Sequence, residues 1–115
     1  MAEQIMDPGM THATPAAVAA LERNAKDVWE FFRRHLAGDW GENGTYETTD
    51  VTEDERRRTV FATSDDGKLN KLAVDQADGS RVMSVYKLPD RTVLWVSTEG
   101  TGQHRNTVAM LPQDY

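Results

Sequence analysis

The chain has 115 residues, 38% hydrophobic and 28% charged, with a mean hydropathy of −0.66 and a formal net charge of −6. That length suits one domain, and three Trp, three Tyr and three Phe give enough apolar bulk for a modest core. The lack of cysteine excludes disulfides, thiolate metal sites and cysteine nucleophiles.

Residues 1–14 read as a loose N-terminal arm, with Pro8-Gly9 inside it and a short strand over Met10–Ala13. The opening residues show neither a basic region nor an apolar stretch, so no secretory leader is expected and a cytoplasmic location is the default. No run of about 18 apolar residues is present, so no membrane span is expected.

Thr14-Pro15 is a helix start, because threonine accepts from an orphan amide and proline loses nothing at the first helical position. The helix then runs to about Asn24, with Ala17, Val18, Leu21 and Ala25 at helical spacing. A second helix covers Lys26 to Ala37. Val28, Phe31, Phe32, His35 and Leu36 share one face with Trp29 beside them, and Gly38 is placed to end the helix.

Residues 41–64 read as an acidic insert. Thr45–Val51 and Arg58–Thr63 are strand-like, joined through Thr52–Arg56 as a surface hairpin. Residues 39–80 hold eleven acids against five bases, a net −6 that equals the charge of the whole chain. Outside Arg56–Arg58 there is no basic stripe, which argues against direct nucleic-acid binding.

Asp65 or Asp66 starts a helix that reaches about Asp78, with Leu69, Leu72, Ala73 and Gln76 inward. The period then changes. Arg81–Leu88, Thr92–Thr98 and Asn106–Leu111 are strand-length runs separated by turn residues. The expected fold is α+β: residues 15–115 form one domain, with N-terminal helices packed on a C-terminal three-stranded antiparallel meander. Trp95 and Tyr86 are expected at the helix–sheet interface, facing Phe32, Leu36 and Trp40.

The densest cluster is His35-Leu36-Ala37-Gly38-Asp39-Trp40-Gly41. An imidazole beside a carboxylate can act as a general base. The simpler reading is structural: Gly38 ends the helix, Asp39 satisfies turn amides and Trp40 plugs the seam between helix and sheet. Glu99, His104 and Arg105 flank the last loop, and with His35 they define an alternative reading as a small nuclease or nucleotide hydrolase. In it His35 or His104 is the base, Glu99 the acid and Arg105 the phosphate clamp. No metal site is expected, since no two histidines have the spacing that places two ligands on one helix face, and no cofactor motif is present.

Several stretches resemble a family of small uncharacterised proteins, termed plasmid-related, carried on bacterial plasmids and integrative elements. They are Ala13-Thr14-Pro15 with Ala20-Leu21-Glu22, Arg34–Glu42, Asn70 and Ala73, Arg81–Leu88, Leu94–Glu99, and Thr107–Tyr115. The resemblance breaks at residues 41–64, where those proteins pass almost directly from the tryptophan turn into the next helix. It implies an accessory role on a mobile element, including action against host defence, and assigns no catalytic activity.

The leading expectation is therefore a non-enzymatic protein that binds another protein through Glu47, Asp50, Glu53, Asp54 and Glu55. Its partner would be a nucleic-acid-handling defence complex of the CRISPR or restriction type. The C-terminal Tyr115 is expected to be ordered and to fold back over the Trp40 turn.

Overall fold

The computed structural model describes residues 4–47 and 66–115. Thr14 caps helix α1 (Pro15–Arg23), its side-chain oxygen accepting from the Ala17 amide at 3.2 Å. Asp27 caps helix α2 (Val28–Leu36) in the same way, through the Trp29 amide at 2.9 Å. Helix α3 spans Asp66–Gln76. Four strands form one sheet: β1 (Met10–Ala13), β2 (Val82–Lys87), β3 (Val93–Glu99) and β4 (Asn106–Met110). The fold is α+β.

The expected antiparallel meander is present as β2–β3–β4. The sheet is nevertheless four-stranded and mixed, in the order β1-β4-β3-β2, because Met10–Ala13 adds to β4 in parallel. Met10 aligns with Asn106 and Ala13 with Ala109, so the N-terminal segment is built into the sheet edge.

Alternation along the strands gives the sheet two unlike faces. Tyr86, Leu94, Val96 and Ala109 point inward and close on Ala17, Ala20, Leu21, Phe31 and Phe32 of α1 and α2. A second buried group, Trp40 with Ala73 and Val82, joins α3 to the sheet and is flanked by Ile5, Met6, Tyr46 and Val74.

Trp95 departs from expectation. Leu94 and Val96 are fully buried, so Trp95 between them lies on the opposite face, half-buried beside Asp66 and Leu69 of α3 and the C-terminal Tyr115. Both faces of β3 are apolar in sequence, and the strand alone does not say which of them the helices cover. Tyr115 departs as well. It packs edge-on against Trp95, with ring centroids 5.7 Å apart, and Arg81 bonds its hydroxyl. It therefore lies far from the role expected at the Trp40 turn, and it is 71% exposed.

The hairpin expected across residues 45–63 lies largely outside the described residues. So do Asp50, Glu53, Asp54 and Glu55.

Candidate functional site

The Gly38–Tyr46 segment forms a small loop held by backbone bonds from the Trp40 amide to the Gly44 carbonyl, the Tyr46 amide to the Gly38 carbonyl, the Asn43 amide to the Trp40 carbonyl and the Gly44 amide to the Gly41 carbonyl. Gly38 follows α2 with φ of +88°, a conformation that glycine adopts at low cost. Asp39 accepts from Arg34 Nε at 2.7 Å and from the Gly41 amide at 3.2 Å. Burial works against the Asp39 charge, but these two donors outweigh it and hold the carboxyl below its ordinary value. Arg34 also lies over the Tyr86 ring, 4.5 Å from its centroid, and the Tyr86 hydroxyl donates to the Asp39 carbonyl at 2.6 Å.

This loop completes the sheet. Strand β2 is the outer strand on that side, and its free backbone groups are taken by the loop rather than by water. The Val85 amide donates to the Trp40 carbonyl at 3.1 Å, and the Glu42 amide donates to the Val85 carbonyl at 2.8 Å. Asn70 of α3 completes the cover, donating to the Met83 carbonyl at 2.7 Å and accepting from the Met83 amide at 2.8 Å. An exposed strand edge is a template for unwanted pairing, and here it is closed from within the chain.

Behind the loop lies a buried polar chain. His35 is 0% exposed, with Nδ1 2.6 Å from Ser84 Oγ and Nε2 2.9 Å from Thr98 Oγ1. Thr98 Oγ1 is 2.6 Å from Thr107 Oγ1, and the Thr107 hydroxyl donates to the Pro8 carbonyl at 2.8 Å. A carbonyl only accepts, so this end fixes the direction of the bonds as far as His35 Nε2, and with a neutral ring the Ser84 bond follows. Thr107 donates to Pro8, hence Thr98 donates to Thr107, His35 donates from Nε2, and Ser84 donates to Nδ1. The imidazole is neutral. Its pKa is pulled down to about 3, chiefly by burial and further by the positive charge of Arg105.

The residues of the hydrolase reading are not brought to one cavity. His35 has both ring nitrogens engaged inside the core. Arg105 donates to the Gly100 carbonyl at 3.0 Å and to the Asp7 carbonyl, tying the N-terminal segment to the last loop. Glu99 ends β3 and His104 sits in a 3₁₀ turn over Gly102–His104, both exposed. Neither makes a side-chain hydrogen bond or ion pair among the described residues. No group of three His, Asp or Glu side chains suited to a metal occurs among the described residues, and none of their helices is long and apolar enough to cross a membrane.

Sequence reasoning gave no role to Ser84, Thr98 and Thr107. Their signal was faint: polar residues at alternate positions on the inner face of otherwise apolar strands. Glu47, of the expected acidic surface, lies within the insert and is exposed, the last residue described before position 66.

The class of protein that these features define is a small α+β domain with a buried histidine–hydroxyl chain behind a loop that closes the sheet edge. Comparison with protein-family models, curated proteins and solved structures finds no match to this chain.

Proposed function

We propose that the protein is a non-enzymatic accessory protein that acts by binding another protein. The carrying observation is a division of labour among its polar groups. His35, Arg34 and Arg105 are engaged within the fold, whereas the excess negative charge of residues 39–80 extends from exposed Glu47 into the acidic stretch Asp50–Glu55. A concentrated acidic surface fits a basic groove, and long-range attraction would speed the encounter.

The partner this favours is a nucleic-acid-handling defence complex, since such machines carry the basic channels that an acidic surface would occupy. The resemblance to proteins of plasmids and integrative elements supports that choice. A net charge of −6 over a domain this size is well below duplex charge density, so the contact is a local plug rather than a full imitation of DNA.

The test is capture from a bacterial host on immobilised protein, followed by elution with rising salt. The expected catch is a nucleic-acid-handling complex that leaves steadily as salt increases. Reversal of Glu53, Asp54 and Glu55 to lysine should abolish its retention. Retention indifferent to both salt and reversal would contradict the proposal.

A further inference from the structure

A groove of about 580 Å³ runs along one side of α2. Trp29, Arg33, Leu36 and Ala37 line one side, with Arg34 and Asp39 at the end nearest the Gly38–Tyr46 loop. That volume lies within the usual range of ligand sites.

Trp29 is the unusual member. It is 47% exposed, although its ring is fixed by an edge-on contact with Phe32 at 5.2 Å. Arg33 follows one helical turn later, so both side chains share one strip of the helix surface. The other charges of the groove are paired: Glu30 with Lys26 at 3.7 Å and Arg34 with Asp39 at 2.7 Å. The Arg33 side chain makes no hydrogen bond or ion pair among the described residues. It is the one uncompensated charge in the groove.

Four backbone acceptors at the helix end are already filled. The carbonyls of Arg33, Arg34, His35 and Leu36 accept from the amides of Ala37, Asp39, Gly38 and Ile5 respectively. The groove thus presents an aromatic face, an apolar floor and a planar five-donor cation, with its helix-end acceptors already filled.

From this arrangement we infer that the groove is a docking site for a short acidic peptide segment of a partner protein. An apolar or aromatic side chain of the segment covers Trp29 and Leu36, and a neighbouring carboxylate makes paired hydrogen bonds to Arg33. Tryptophan and arginine are among the residue types most enriched where binding energy concentrates at protein interfaces. The charge sense is opposite to that of the acidic surface, so this site is independent of the function proposed above.

The experiment uses the full chain, labelled with ¹⁵N, and the blocked peptide Glu-Leu-Asp-Phe-Glu as probe. The three tryptophans give three indole N–H signals. The signal of Trp29 should shift on titration while that of buried Trp40 stays in place. Arg33→Glu should weaken binding about tenfold or more, whereas Arg91→Glu, an equal change in net charge on an exposed turn, should leave it nearly unchanged. Equal binding of a probe with Gln and Asn in place of its acids would overturn the inference. So would indifference to Arg33→Glu, a shift centred on Trp95, or the absence of any shift at millimolar probe. Self-association that Trp29→Ala abolishes, without peptide binding, would assign the groove to a second copy and overturn it equally.

Discussion

His35 has the residue type of a general base, and its surroundings make it a structural group. Both ring nitrogens are bonded inside the core, and the run of hydroxyls ending on the Pro8 carbonyl places its proton on Nε2. The consequence for pH follows from the lowered pKa. The unfolded chain takes up a proton near the ordinary histidine value of 6.5, while the folded protein does not until about 3. Stability due to this group is therefore complete above 6.5 and is lost as pH falls through that window, by about 1.4 kcal/mol per unit. Urea denaturation between pH 7 and 4.5 should show this slope, and His35→Gln should remove roughly one proton's worth of it. An identical slope in the variant would contradict a neutral buried imidazole. Thr107→Val tests the same chain from its far end. It leaves the Pro8 carbonyl without its donor and should cost about 1–3 kcal/mol of stability.

Among the elements, the β2 edge is the one the rest of the chain is arranged to protect. Gly41 passes so close to Val85 that an added Cβ would stand 2.1 Å from the Val85 carbonyl oxygen, at a φ of +64°. Gly41→Ala should therefore cost about 2–4 kcal/mol in denaturant unfolding. Gly102 is the internal comparison: its φ is +55°, but nothing lies within 4 Å of an added Cβ. Gly102→Ala should cost only the backbone term, about 1–2 kcal/mol. Equal losses in the two variants would show that the contact with Val85 is not what matters. At the C-terminus, the Asp114 carboxylate accepts from Thr14 Oγ1 at 2.7 Å and from the Leu111 amide at 3.0 Å, joining the tail to the start of α1. Removal of Gln113–Tyr115 should lower Tm by several degrees and shift Trp95 emission to the red. An unchanged Tm with unchanged emission would show that the tail does not dock. The helices and the meander were legible because caps, amphipathic spacing and turn residues are local signals. Strand β1 was legible as a strand only. Its parallel pairing joins residues 96 positions apart in the chain, Met10 with Asn106, which no local pattern encodes. The side of the sheet occupied by Trp95 was hidden for a related reason, since both faces of β3 are apolar and only packing chooses between them.

For the whole molecule, His35, Ser84, Thr98 and Thr107 are bonded to one another inside the fold, whereas the excess negative charge falls in residues 39–80 of the sequence. The separation was only half legible. Charge counts along the chain locate the acidic stretch without a structure. The engagement of His35 and Arg105, by contrast, depends on contacts with Ser84, Thr98, Asp7 and Gly100 that come together only in the fold. Asn70 was similarly opaque: as one polar residue in a helix it has many uses, and its bonds to both backbone groups of Met83 appear only once α3 lies along β2. The proposal that the acidic segment occupies a groove meant for nucleic acid is tested by competition. A complex captured by the protein is titrated with duplex DNA at fixed salt, and the protein released is measured. Duplex should displace the protein progressively, and the Glu53, Asp54 and Glu55 reversal should prevent capture at the outset. Retention of the protein at saturating duplex, with both bound together, would contradict it.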